Sequence, residues 1–387
     1  MDIRALVLVS KAVEDAADPM PLSALAPALL EVAGRTAVQR MVERLQEFGI
    51  HSTTVIADSD FLLATDGNQQ GTTCQTTPRE RFWRAAENAF SDLAQEGAEL
   101  VLLVHLGGYA EINLEKFVQF HLDQHARVTQ VSVQGEPLQI FCISASRRND
   151  AASLFRSQLT RCRSECPTFE HNGYFNPLRE ARDLRQLTID ILTLKTETKP
   201  SGIEVRPGVW MERRAVIEKG ARVLAPAFIG AFARVRTHAV ITRCSSVEHH
   251  AEIDCGSVVE NSTVLPYCSI GAGLDVAHSV IGAGVLANLR RNVTVEIADR
   301  KLIGFVVAGR GQRFLSAAFE LAAYLPKQMW RGVFGPSQPQ QRDLRTALHN
   351  TSPSLGGAAG YQASACDTDA AEKFPSTLAV ARRYGDH

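Results

Sequence analysis

The chain has 387 residues, of which 41 are Lys or Arg and 42 are Asp or Glu, so its formal net charge is −1. Because a single hydrophobic core rarely serves much beyond about 250–300 residues, this length predicts more than one domain. The balanced charge provides no global field that would attract nucleic acid, and no apolar run approaches the roughly 18 residues of a membrane span.

The N-terminal segment and the cysteines bear on the cell compartment. The opening MDIRALVLVSK has only a short apolar run, which predicts a first β-strand rather than a signal peptide. The eight cysteines lack the spacing of a metal site, so we expect reduced thiols. These features predict a cytoplasmic protein without a transmembrane segment.

The first half of the chain alternates apolar strands with amphipathic helices. Strands are predicted at 4–10, 53–57, 99–106, 128–134 and 138–143, and helices at 37–48, 80–95, 113–125, 147–161 and 178–194. This alternation is typical of a mostly parallel, doubly wound, Rossmann-like α/β sheet. We assign this domain to residues 1–198, with the linker KTETKPSG at 195–202.

The next segment has a six-residue repeat of aliphatic residues. The repeat runs without a gap through Val205, Met211, Ile217, Val223, Ile229, Val235, Ile241, Val247, Ile253, Val259 and Leu265. Six is a multiple of the two-residue strand period, so each hexad predicts a short strand and a turn. Three hexads make a triangular coil, and stacked coils bury the aliphatic column, which predicts a parallel β-helix at 199–305. The phase slips by one near Cys268.

Residues 306–387 are predicted to form a C-terminal helix at about 313–334 followed by a disordered tail. The helix has two interpretations: a cap over the open end of the β-helix, which we favour, or a peripheral membrane contact through 313–331. From residue 335 on, stretches rich in Ser, Pro, Gln and Gly predict disorder.

Both halves of the chain resemble known proteins. The hexads resemble those of hexapeptide-repeat, left-handed β-helix proteins. Three N-terminal stretches, ALVLVS, LLEVAGRTAVQRMVERLQEFGI at 29–50 and LVLLVHLGGYAEINLEKFVQFH at 100–121, resemble the sugar-nucleotide pyrophosphorylases, such as mannose-1-phosphate guanylyltransferases. The resemblance covers about residues 3–285. It implies a nucleotidyltransferase-like domain followed by a left-handed β-helix.

The catalytic signature of that family is degenerate in this chain. Nucleotidyl transfer needs a glycine-rich phosphate loop, cations over the triphosphate and a carboxylate-bound Mg²⁺. Here the loop aligns with KAVEDAAD at 11–18, the family lysine with Pro27, and the metal-binding aspartate with Gly107. Glu111 is either a displaced metal ligand or, as we favour, an acid that complements a helix N-terminus.

The candidate site residues are therefore few. Lys11, Gly34, Arg35 and Gly107 occupy nucleotide-binding positions by alignment only. We predict no metal ligand and no confident catalytic residue, and we expect Mg²⁺ only if nucleotidyl transfer survives. On the β-helix, His249 and His250 sit at a corner where acyltransferases of this fold place a general base, although a structural role is favoured there. The repeat spacing predicts that Tyr267 lies over His249.

Three functions remain open. The first is a member of the sugar-1-phosphate nucleotidyltransferase family with impaired or lost catalysis, which binds a sugar nucleotide or sugar phosphate in nucleotide-sugar or surface-polysaccharide metabolism. The second is a hexapeptide-repeat acyltransferase, and the third is a non-catalytic assembly or regulatory subunit. We expect a homo-oligomer that associates through the β-helix.

Overall fold

The structure is a computed structural model that describes residues 1–10, 27–58, 71–145, 155 and 166–306. These residues belong to one compact unit, Met1–Gly335. Lys11, the predicted helix at 147–161 apart from Phe155, and the predicted C-terminal helix and tail lie outside the described residues. Within them, no helix has the length and apolar character needed to cross a bilayer.

The α/β region, residues 3–192, contains strands and helices in alternation. Its strands are β1 (Ile3–Val9), β2 (Glu31–Val32), β3 (Arg35–Thr36), β4 (Thr53–Asp58), β5 (Thr72–Thr77), β6 (Leu100–His105), β7 (Tyr109–Ala110), β8 (Val128–Val133), β9 (Glu136–Ser144), β10 (Thr168–Glu170) and β11 (Phe175–Asn176). Its helices are α1 (Ala37–Glu47), α2 (Phe82–Gln95), α3 (Leu114–Asp123) and α4 (Ala181–Leu192).

The main sheet has the strand order β10-β8-β9-β6-β1-β4-β5. Strand β1 pairs in parallel with β4 and β6, and β4 pairs in parallel with β5, whereas β9 is antiparallel to both of its neighbours. One face packs on α1 and α3, and the other face packs on α2. A parallel-rich α/β region is therefore confirmed.

Helix α1 shows how local sequence sets an element boundary. The hydroxyl of Thr36 accepts a hydrogen bond from the Gln39 amide at 3.1 Å, and the Gln39 side chain accepts one from the Thr36 amide at 2.9 Å. This reciprocal capping box starts the helix one residue after Thr36. Behind it, Val38, Met41 and Leu45 are buried at helical spacing, which confirms the predicted apolar face.

The coil region, residues 203–305, consists of short strands. They are β12 (Ile203–Arg206), β13 (Val209–Met211), β14 (Val216–Ile217), β15 (Arg222–Val223), β16 (Ala227–Ile229), β17 (Arg234–Val235), β18 (Val240–Thr242), β19 (Ser245–Val247), β20 (Glu252–Ile253), β21 (Val258–Glu260), β22 (Thr263–Val264), β23 (Cys268–Ile270), β24 (Asp275–Ala277), β25 (Ser279–Gly282), β26 (Val285–Asn288), β27 (Val293–Glu296) and β28 (Ile303–Phe305).

These strands form three sheets, which follow the orders β12-β13-β16-β19-β22-β25-β26-β27, β14-β17-β20-β23-β28 and β15-β18-β21-β24. Pairing within the stack is parallel, and it joins Val209 to Ala227, eighteen residues later. Antiparallel pairs close both ends, β12 with β13 at the start and β28 with β23 at the finish. The arrangement is compatible with a β-helix of three short strands per coil.

The predicted column of aliphatic residues is confirmed in its middle part, and the prediction is wrong at both ends. Ile229, Ile241 and Val259 are fully buried together with the other repeat residues between them. Val205 is 49% exposed, because it lies on the antiparallel strand β12 outside the stacked coils. Leu265 packs against the α/β region, since Val264 takes its place in the column.

The phase slip that moves Leu265 lies earlier than the sequence predicts. Thr242 pairs with Glu260, eighteen residues later, whereas Ser246 pairs with Thr263, only seventeen residues later. The corner before β19 holds two consecutive residues in the left-handed region, at 243 and 244, and the corner one coil later holds one, at 261. The later corner is one residue shorter, so the slip precedes Val264.

The predicted state of the cysteines is confirmed in part. Cys142, Cys244, Cys255 and Cys268 are free thiols. Cys166 is disulfide-bonded, so the prediction of reduced thiols is wrong for this residue.

Candidate functional site

The carboxyl ends of β1 and β6 carry a hydrogen-bonded polar pair. β1 lies between β4 and β6 in the sheet. From β1 the chain crosses to β4 on one side, whereas from β6 it crosses to β8 on the other side. Open α/β sheets bind ligands at such a position. Ser10 follows β1 and His105 ends β6, and their side chains are joined by a 2.7 Å contact between Oγ and Nε2. Burial lowers the pKa of His105, so the imidazole is neutral at neutral pH.

The first turn of α2 adds an aromatic wall to this place. The ring of Trp83 stands edge-on to the His105 ring at 5.6 Å, and it is 50% exposed. The buried ring of Phe82 lies 6.4 Å from the same imidazole and 5.7 Å from the Trp83 ring, so the three rings form one cluster. An exposed indole beside a polar pair can contact a planar ring or a sugar face while the pair provides hydrogen bonds. We call Ser10, Trp83, His105 and Gly107 the carboxyl-end site.

Gly107 places no functional group in the carboxyl-end site. A Cβ added at this residue would meet nothing within 4 Å. The position therefore has room for a side chain. The residue there is glycine, so it provides no carboxylate. Among the described residues, no group of three or more His, Cys, Asp or Glu side chains is placed to hold a metal ion. Position 107 therefore offers no carboxylate to a metal ion.

Glu111 has neither of its two predicted roles. Its carboxylate is buried and accepts hydrogen bonds from the amides of Glu197 at 2.7 Å and Thr198 at 3.0 Å, and from the hydroxyl of Tyr109 at 2.8 Å. Burial raises the pKa of Glu111, but these hydrogen bonds outweigh burial and hold it below its ordinary value. The N-cap of α3 is Asn113 instead. Glu111 thus fixes the linker to the sheet.

The turn that carries Gly34 is held by the coil region. The amides of Ala33 and Gly34 donate to the two carboxylate oxygens of Glu248, each at 2.9 Å. Ser246 donates to the same carboxylate, which is fully buried. Burial, and next the charge of Glu31, raise the pKa of Glu248 to about 7.

An arginine holds the opposite side of the same turn. The guanidinium of Arg40 donates to the carbonyls of Val32 at 2.6 Å and Ala33 at 3.3 Å, and to that of Lys199 at 3.2 Å. The turn peptides therefore lie between the buried guanidinium of Arg40, whose Nε has no hydrogen-bond partner, and the buried carboxyl group of Glu248. We call Arg40, the turn at 32–34 and Glu248 the coil clamp.

Gly34 and Arg35 are engaged within or beside the coil clamp. Gly34 has φ of +82°, and a Cβ there would lie 2.0 Å from the Ser201 hydroxyl and 2.8 Å from the Phe228 ring. Arg35 pairs with Glu43 of α1 at 3.1 Å. The structure places Gly34 against the coil region, whereas Gly107 lies beyond β6 in the carboxyl-end site.

This difference predicts opposite responses to the same substitution. Gly34→Ala is expected to destabilise the fold by more than about 2 kcal/mol, because it adds a Cβ at positive φ in a packed contact. Gly107→Ala is expected to change stability by less than about 0.5 kcal/mol, because its Cβ enters open space. Urea unfolding of the two variants measures the contrast. Equal losses would contradict the placement of Gly34 in the clamp.

The corner histidines also contact the α/β region. His249 Nδ1 contacts the carboxylate of Glu31. His250 is stacked between Phe232 at 4.7 Å and Tyr267 at 4.8 Å, with nearly parallel rings. Burial and the neighbouring His249 lower the pKa of His250 to about 4. Tyr267 stacks on His250 and contacts the His249 ring edge-on at 4.8 Å, so the residue one coil after His250 is Tyr267, as the earlier phase slip requires.

Arg185 of α4 is a buried contact that sequence reasoning missed. It donates to the carbonyl of Cys244 at 2.7 Å, to the side chain of Asn261 at 2.8 Å and to Thr263 Oγ1 at 3.2 Å. In the sequence, this contact could have been suspected because an arginine follows Leu184 on the apolar face of α4. It joins the last helix of the α/β region to the corners of the coil region.

Ser10, Trp83 and His105 were also missed. The signal for His105 was a titratable side chain at the end of the apolar strand LVLLVH. Neither a scan of protein-family models nor a search of curated proteins finds a match to this chain.

Proposed function

We propose that this protein is a sugar-1-phosphate nucleotidyltransferase-like protein that binds a sugar nucleotide or sugar phosphate and has lost nucleotidyl transfer. In this proposal a doubly wound domain precedes a left-handed β-helix, and the protein acts in nucleotide-sugar or surface-polysaccharide metabolism. The observation that carries the proposal is the Ser10–His105 pair at the carboxyl ends of β1 and β6, with glycine at 107.

The polar pair supports binding. A neutral imidazole hydrogen-bonded to a hydroxyl presents donors and acceptors without a fixed charge, which suits sugar hydroxyls or a base edge. Trp83 provides an exposed ring face beside the pair. Ser10 directly follows β1, Trp83 belongs to α2 and His105 ends β6, so these packed elements fix the relative positions of the three groups before a ligand arrives.

The coil clamp and Gly107 support the loss of transfer. The resemblance implies nucleotide binding at Gly34 and metal binding at position 107. Here the amides of Ala33 and Gly34 are occupied by Glu248, so they are not available to a nucleotide. Position 107 has no carboxylate to bind a metal ion. Losing one preorganised group that stabilises the transition state typically costs about 3–4 kcal/mol, so the combined loss abolishes useful turnover.

A fluorescence titration tests the proposal. Trp210→Phe and Trp330→Phe leave Trp83 as the single tryptophan reporter. We expect saturable quenching by a nucleoside diphosphate sugar or a sugar 1-phosphate from a panel of both classes. His105→Phe keeps the ring and removes the hydrogen bond to Ser10, so it is expected to weaken binding about tenfold. His51→Phe, at the amino end of β4, is the matched control and is expected to leave binding unchanged.

An activity assay tests the second half of the proposal. With Mg²⁺, a nucleoside triphosphate and a sugar 1-phosphate, pyrophosphate release is expected to stay at background. Robust release would overturn the loss of transfer. If no member of the panel quenches Trp83, the carboxyl-end site is not a binding site for these ligands.

A further inference from the structure

A groove of about 880 Å³ runs between helix α2 and strands β4 and β5. Helix α2 packs on β1 and β4 through the buried residues Phe82, Ala86 and Phe90, so it leaves space above β5. The volume of the groove is within the range of about 300–1,000 Å³ that is typical of small-molecule sites. No residue of the carboxyl-end site lines this groove, so it is a separate candidate site.

The floor of the groove consists of hydrogen-bonding side chains. Thr54 pairs with Thr73 in the parallel register of β4 and β5, and alternate residues of a strand share one face of the sheet. The described strand residues that line the groove are all polar: Ser52, Thr54, Thr73, Gln75 and Thr77. Because hydroxyl and amide groups both donate and accept hydrogen bonds, this floor suits a ligand that is rich in hydroxyl groups.

The wall of the groove on α2 carries opposite charges at its two ends. Arg81 and Arg84 line the groove at the carboxyl end of β5, and Asp92 lines it near the other end, with Asn88 between them. The spacing of four residues places Arg84, Asn88 and Asp92 along one face of the helix. Arg84 and Asp92 are therefore about 12 Å apart along the helix axis.

The basic end offers its cations to a ligand. Arg81 and Arg84 are exposed, and neither forms an ion pair with any residue that the structure describes. Guanidinium groups bind carboxylates and phosphates through paired, charge-assisted hydrogen bonds. At the other end Glu96 pairs with Arg4, whereas the carboxylate of Asp92 can accept hydrogen bonds from hydroxyl groups.

We propose that this groove binds an anionic carbohydrate. The carboxylate or phosphate of the ligand lies at Arg81 and Arg84, and its hydroxyl groups contact the polar floor and Asp92. A sugar phosphate and an acidic unit of a glycan share this chemistry. The site is independent of the proposed binding at the carboxyl-end site, since it uses a different surface of the α/β region.

Isothermal titration calorimetry of the full chain at low ionic strength tests the proposal. The probes are a hexose 6-phosphate, a disaccharide that contains one uronic acid, and a neutral disaccharide. We expect saturable binding of at least one anionic probe, and a dissociation constant at least about tenfold higher for the neutral disaccharide. Binding of either anionic probe supports the proposal, and the preferred probe identifies the source of the ligand.

Two variants assign the binding to the groove. Arg84→Ala removes a cation from the basic end and is expected to weaken binding of the anionic probe about tenfold. Arg127→Ala removes an exposed arginine of the same α/β region outside the groove, and it is the matched control expected to bind like the wild type. Asn88→Trp fills the middle of the groove from an exposed helix position, so it is expected to abolish binding.

His105→Phe separates this site from the carboxyl-end site. It removes the hydrogen bond to Ser10 and is expected to leave binding in the groove unchanged, so the two proposals fail independently. Absence of binding by both anionic probes would overturn the groove proposal. So would binding that Arg84→Ala and Asn88→Trp leave intact, or a neutral disaccharide that binds as tightly as the anionic probes.

Discussion

Ile229→Asp is expected to unfold the coil region. Ile229 is fully buried, and its strand pairs with Met211 on one side and Val247 on the other. The substitution removes an aliphatic side chain, which costs about 2–5 kcal/mol, and it places a carboxylate in a column without hydrogen-bond partners. The free energy of unfolding is expected to fall by more than about 4 kcal/mol. Urea unfolding followed by circular dichroism measures the loss.

Val216→Asp is the matched control for this experiment. Val216 belongs to the same kind of short strand, but its side chain points outward and is 46% exposed. A carboxylate there stays hydrated, so the expected change is within about 0.5 kcal/mol. Equal destabilisation by the two substitutions would show that the inward and outward positions of the coils have been exchanged.

The sequence predicts the coil region well because its stability depends on a local repeat. One inward aliphatic residue per hexad is a sufficient pattern, and it correctly selects Ile229, Ile241 and Val259. The phase slip is harder to place, because it depends on the backbone conformation of a corner. Arg243 and Cys244 both adopt positive φ, and neither residue type favours that conformation.

The α/β elements were found wherever apolar residues are periodic. The burial of β1 and β6 on both faces makes their sequences continuously apolar. Strand β5 was missed for the opposite reason, because TTCQTT contains almost no apolar signal. Its threonines indicate strand propensity, but a polar run is also typical of a loop. The missed element is the last strand of the main sheet among the described residues.

The coil clamp was beyond the reach of sequence reasoning. Glu248 lies 215 residues from Ala33 along the chain, and only the packed fold brings the two together. The resemblance implies nucleotide binding at Gly34, and the structure gives the turn at 32–34 a different role. The backbone amides of Ala33 and Gly34 bind a carboxyl group of the same chain.

Glu248→Ala is expected to destabilise the protein by about 3–5 kcal/mol, because it leaves two buried amides without acceptors. The loss is expected to depend on pH. Burial raises the pKa of Glu248 to about 7, so its contribution is fully present below the ordinary glutamate pKa and is lost as pH rises through about 7. Urea unfolding at about pH 5.5 should therefore show a larger loss than at about pH 8.

Two further variants separate the hydrogen bonds of Glu248 from its ionisation. Glu248→Gln keeps one acceptor for the turn and cannot ionise, so it is expected to lose less stability than Glu248→Ala while showing the same loss of pH dependence. Glu252→Ala removes a partly exposed carboxylate that pairs with Arg236, and it is expected to cost less than about 1 kcal/mol. If Glu248→Ala loses the same free energy at both pH values, the buried carboxylate does not titrate in this range and the electrostatic account of the coil clamp is wrong.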